Sequence, residues 1–67
     1  MTLNLTPAAQ RNIEEVGLNP MEDVEAVQRG IYTRETLLEI CLEGADEDRR
    51  AGWEEYVTEI CRAAAAP

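Results

Sequence analysis

Gly17, Gly30 and Gly44 cut the first two thirds of this sequence into segments a few helical turns long, and each segment opens on a helix-start signal. Thr6-Pro7 reads as an N-cap followed by proline at the first helical position, where the missing N–H is no loss. If Gly17 is the left-handed residue beyond that helix, Leu18 and Ile13 become the apolar pair of a Schellman ending, and Ala9, Ile13 and Val16 form the inner face. Asn19-Pro20 restarts the chain at once, with Glu22 placed to reach back as in a capping box and Met21, Val24 and Val27 as its apolar stripe. Thr33 caps a third segment, and Tyr32 before it is positioned to pack on Leu37.

Leu37, Leu38, Ile40, Cys41 and Leu42 spread around more than half of the third helix, which predicts that it is central and covered on several sides. Asp46, Glu47 and Asp48 bring negative charge to the start of a fourth helix, where the macrodipole favours it. Trp53, Tyr56, Val57, Ile60 and Ala64 then recur with helical periodicity. Gly52 interrupts the segment and predicts a kink or break, since glycine destabilises a helix interior by about 1 kcal/mol relative to alanine. Ala65 to Pro67 are expected to fray. With no strand pattern, repeat or linker, the expectation is an all-α fold: a compact single domain over 1–67, an irregular bundle of four short helices at about 7–16, 20–29, 34–43 and 46–64. A chain this short buries only about 60% of its unfolded surface, so a partner or self-association would help it.

The inventory of side chains points away from catalysis. Fourteen carboxylates face six arginines, with no serine, histidine or lysine, giving a net charge of -8. Most groups that activate nucleophiles, ligate metals or shuttle protons near neutral pH are therefore missing. Cys41 and Cys61 would sit far apart in an antiparallel hairpin, since Cys61 lies about 20 Å along the fourth helix from the turn. A disulfide needs Cα atoms within about 7 Å, so two reduced thiols are expected. Two distant cysteines without histidine do not make a zinc site, and Asp46-Glu47-Asp48 fails as a calcium loop because Arg50 and Ala51 occupy the next critical positions. No enzyme activity, no metal and no cofactor are expected.

Charge also decides among binding roles. A helix-turn-helix would present Glu35, Glu39 and Glu43 or Asp46, Glu47 and Asp48 to phosphate, with Arg49-Arg50 as its only local basic pair, so direct nucleic-acid binding is not expected. Nor is an anionic membrane surface. Met1 to Ala9 lacks the basic start and apolar core of a signal segment, and no run reaches the roughly 18 apolar residues of a membrane span, so the expected location is the cytoplasm.

Glu35, Glu39 and Glu43 recur every fourth residue and run into Asp46, Glu47 and Asp48, which together are the candidate partner-binding residues. Such a ridge could occupy the basic groove of a nucleic-acid-handling protein and compete with phosphate. In size, acidity and helical make-up the chain resembles the small phage-encoded inhibitors of host defence, including anti-CRISPR proteins and DNA mimics. The resemblance covers the whole chain in bulk properties and transfers no functional residue; it implies stoichiometric inhibition of a basic host complex. The alternative is a structural or adaptor protein that self-associates, as a homodimer for instance, or docks through an apolar helix face. Tyr32, Trp53 and Tyr56 would then be the anchors, unless the last two are core.

Overall fold

The computed structural model describes residues 3–66 and contains α1 (Pro7–Val16), α2 (Pro20–Gln28), α3 (Arg34–Leu42) and α4 (Glu47–Ala65), with no strand among the described residues. The fold is the all-helical one expected, and its Cα radius of gyration of 11.0 Å matches the about 11 Å of a compact chain this long. The punctuation works as local chemistry. Thr6 Oγ1 accepts the Ala9 N–H at 3.1 Å and Thr33 Oγ1 the Thr36 N–H at 3.2 Å. Asn19 Oδ1 takes the Met21 N–H at 3.1 Å, one residue earlier than a capping box requires. At the other ends, Gly17 (φ 71°) turns the chain so that the Leu18 N–H reaches Ile13 O at 3.0 Å. Gly30 (φ 77°) does the same for Ile31 and Ala26 O at 2.9 Å. Any residue with a Cβ is disfavoured at these left-handed positions.

The central element is α4, not α3. Helices α1, α2 and α3 all pack against α4 and touch one another little. The physical reason is length: α4, at 19 residues, is the one helix long enough to offer three neighbours a shared apolar face. That face is Gly52, Trp53, Tyr56, Val57, Ile60 and Ala63, against which Ala9, Ile13, Val24, Leu37 and Cys41 close the core. Trp53 and Tyr56 are thus core residues rather than surface anchors, their rings edge to face at 5.5 Å between centroids. Only Leu37 and Cys41 of α3 are fully inside, and Ile40 is 47% exposed.

Gly52 does not break α4, which also continues through Ala65; the fraying expected at Pro67 lies outside the described residues. The glycine answers to packing. A Cβ there would stand 2.4 Å from Asn12 Nδ2 and 2.9 Å from the Ala8 carbonyl oxygen, so α1 crosses α4 at a distance only glycine permits. Through that contact Asn12 Nδ2 donates to the Arg49 carbonyl at 2.9 Å, while Asn12 Oδ1 is buried without a partner among the described residues. The inner face of α1 is accordingly Ala9, Asn12 and Ile13, and Val16, expected inside, is 61% exposed.

Gly52→Ala is therefore expected to destabilise the protein by about 1–3 kcal/mol despite alanine's better helix propensity, because the close contact is partly with backbone and cannot rotate away. Urea denaturation monitored by Trp53 fluorescence measures this; a variant as stable as the parent would contradict the close crossing.

Candidate functional site

The six candidate residues Glu35, Glu39, Glu43, Asp46, Glu47 and Asp48 are all exposed. Local geometry gathers five of them. Glu43 leaves the helix in an extended conformation, Gly44 turns at φ 73°, and the Ala45 N–H closes on Leu42 O at 3.0 Å, so α4 begins immediately after α3 ends. Glu39, Glu43, Asp46, Glu47 and Asp48 thus surround one tight turn, whereas Glu35 lies about 12 Å further up α3 at 1.5 Å per residue. Asp46 is the N-cap of α4 by position, yet its carboxylate makes no cap hydrogen bond.

Ion pairing engages four carboxylates, Glu15, Glu25, Asp48 and Glu59, and leaves most of the acidic surface without an ion-pair partner among the described residues, Glu14, Glu22, Glu54 and Glu55 included. Arg29 pairs with Glu25 at 2.6 Å, and Arg62 with Glu59 at 2.6 Å. Arg49 clasps Glu15 through Nε and Nη2 at 2.8 and 3.0 Å and reaches Asp48 through Nη1 at 2.8 Å. That guanidinium holds the Glu15 carboxyl below the usual carboxylate range. Among the described residues, Glu35, Glu39, Glu43, Asp46 and Glu47 have no ion pair; of the six, only Asp48 is offset.

A second feature, which sequence reasoning missed, is an open groove of about 410 Å3 over the outward face of α4. Asn4 and Thr6 of the N-terminal segment border it on one side and Arg34 of α3 on the other, with Glu54, Glu55, Thr58 and Glu59 beneath. The N-terminal segment is held there because Leu3 and Leu5 pack on the core and the Asn4 N–H donates to Glu59 Oε2 at 2.7 Å. Arg62 donates to both oxygens of Glu59, at 2.7 and 2.6 Å. The Arg62 bonds, and then the Asn4 N–H, pull the Glu59 pKa down to about 2. Across the groove Arg34 Nη2 donates to Thr58 Oγ1 at 3.1 Å, and that hydroxyl donates to the Glu54 carbonyl at 2.9 Å.

A second polar contact, besides that of Asn12, joins α2 to α4. The Tyr56 hydroxyl donates to Asp23 of α2, and burial, reinforced by that carboxylate, raises the Tyr56 pKa far above its ordinary value. Burial and the same carboxylate push the Cys41 thiol up to about 11, so it stays protonated near neutral pH. Cys41 and Cys61 are not bonded to each other. Among the described residues, no helix is long and apolar enough to cross a membrane. The chain matches no protein-family model, no curated protein and no solved structure.

Two outcomes follow from the charges. Glu39→Gln removes repulsion with both Glu35 and Glu43 and is expected to stabilise the fold by about 0.5 kcal/mol at low salt. The gain should vanish near 1 M salt, where the screening length falls to about 3 Å; a gain that persists would deny an electrostatic origin. Glu59 works in the opposite sense, because its folded-state pKa lies below the ordinary value of 4.5. Its stabilisation is complete above that value and is lost as pH falls towards about 2. Thermal melts of Glu59→Gln should therefore show a shallower loss of stability over that acid range, and a slope equal to the parent's would contradict the pinned geometry.

Proposed function

We propose that this chain is a small acidic inhibitor that acts in the cytoplasm by stoichiometric contact with a basic, nucleic-acid-handling protein. The observation that carries the reading is the set of unpaired carboxylates Glu39, Glu43, Asp46 and Glu47 around the α3–α4 turn, with Glu35 further along the same helix. Like charges four residues apart on α3 oppose one another, and a surface shaped only for stability would intersperse its arginines among them. Six arginines are present, yet Arg29, Arg49 and Arg62 pair with carboxylates outside this group or, in Asp48, at its edge. A concentrated negative field steers association with a basic surface and competes with phosphate for it. A phage-encoded inhibitor of a host defence complex, of the anti-CRISPR or DNA-mimic kind, is the form of this function that fits the chain's size and charge.

A second reading has an observation of its own. Ile31 is 65% and Ile40 47% exposed, so a structural or adaptor role through apolar contact, including self-association, draws on these two residues.

The experiment is affinity capture from host lysate at low and high salt, followed by duplex DNA competition. A captured basic nuclease, polymerase or defence effector that DNA displaces is expected, with the association rate falling as salt rises. The Glu39→Lys, Glu43→Lys, Glu47→Lys variant should lose capture while its melting curve stays that of a folded protein; Asp48 is left alone because it holds Arg49. Capture that survives both high salt and this reversal would favour the apolar reading.

A further inference from the structure

The three helices packed around α4 leave one of its faces bare, the face carrying Glu54, Glu55 and Thr58. The N-terminal segment and the start of α3 raise borders on either side, which turns that face into the groove of about 410 Å3. Its size lies within the about 300–1,000 Å3 of small-ligand sites, though it is an open groove rather than a closed cavity. Three glutamates and one arginine are in its lining. Glu59 is already satisfied by Arg62 and the Asn4 N–H. Arg34 is engaged by the Thr58 hydroxyl rather than by a carboxylate, which leaves Glu54 and Glu55 exposed and without an ion pair among the described residues.

We propose that this groove docks a basic segment of the partner, taking one arginine or lysine side chain between the N-terminal segment and α3 with its charged end on Glu54 and Glu55. The inference rests on the reading of the protein as a binder of basic partners and adds a second contact to it, on a different face from the α3–α4 turn. The chemistry fits a long cationic side chain in two parts. Thr6, Thr58 and the stem of Arg34 supply aliphatic contact for its methylenes, and the two carboxylates receive its head. Arg34 then selects a peptide over a free polyamine. Its guanidinium repels an ion that is cationic along its whole length, whereas a peptide brings main-chain carbonyls that its remaining N–H groups can bind.

The test is a titration of the isotope-labelled full chain, followed by amide chemical shifts at low salt, with a blocked tetra-arginine peptide. Its neutral citrulline analogue and spermidine are the controls. Binding of the arginine peptide should shift Arg34, Glu54, Glu55 and Thr58 most, with weaker binding of spermidine and none of the citrulline peptide. Glu54→Gln with Glu55→Gln should raise the dissociation constant about three- to tenfold, as the loss of two exposed charge contacts does, with an unchanged melting curve. Shifts led by Glu39 to Asp48, with the double variant binding as the parent does, would overturn the groove and leave the acidic turn standing. An absence of shifts on either face would overturn both.

Discussion

Where α1 crosses α4, Gly52 and Asn12 set a separation on which the remaining contacts depend. The missing Cβ of Gly52 lets the Ala8 backbone approach, and the approach brings Asn12 Nδ2 onto the Arg49 carbonyl. That position fixes which face of α1 is inside, buries Ala9 and Ile13 against α4, and carries Glu15 to the Arg49 guanidinium. The crossing also contains Asn12 Oδ1, a buried acceptor without a partner among the described residues, a feature that costs about 1–3 kcal/mol. A polar group with one satisfied end acts on register more than on stability. An α1 shifted along α4 would lose the single bond that Asn12 makes and drive a side chain into the place where only glycine fits.

The same hub organises the charges. Arg49 gives its carbonyl to Asn12 and its guanidinium to Glu15 and Asp48, so one residue of α4 ties α1 to the start of α4 through both backbone and side chain. Asp23 receives the Tyr56 hydroxyl and thereby holds α2, whose only fully buried side chain is Val24. Glu59 holds the N-terminal segment. Structural carboxylates are thus Glu15 on α1, Asp23 on α2 and Glu59 on α4 itself, each tying a different segment to α4. Those of the α3–α4 turn other than Asp48 fasten nothing to anything.

Helix ends were legible in the sequence because capping is a local matter: Thr6, Thr33, Gly17 and Gly30 act through bonds that span a few residues. The α4 stripe was legible for the same reason, its period being a property of one helix. What the sequence hid was pairwise. Isoleucine and leucine all round α3 suggested a covered helix, yet α3 at 9 residues packs chiefly on α4, the one helix long enough to gather all three neighbours. Gly52 looked like a flaw in α4 because its reason stands 40 positions away in Asn12. The one available signal was a polar residue at Asn12, in the inward register between Ala9 and Ile13. The groove was invisible because it is built from three separate stretches of chain, none of which carries a motif. The acidic residues could be named from their spacing, while the lack of counter-ions around the α3–α4 turn needed coordinates.

That lack of counter-ions is what the proposed function rests on. Placing an arginine among Glu35, Glu39 and Glu43 would relieve repulsion at exposed positions, where core packing does not forbid it. Stability does not require those carboxylates either, since none of them makes a hydrogen bond or ion pair that fastens another element. A field left uncompensated on the outside of a small domain acts on the rate and choice of encounters over the last stretch of approach, since the screening length is about 8 Å at physiological salt. The chain's net charge of -8 is therefore divided into two kinds of carboxylate. One kind is consumed in holding α1, α2 and the N-terminal segment to α4. The other has no ion pair among the described residues and stands at the α3–α4 turn, along the bare face of α4 and at Glu14 and Glu22, open to the basic partner that the proposed function calls for.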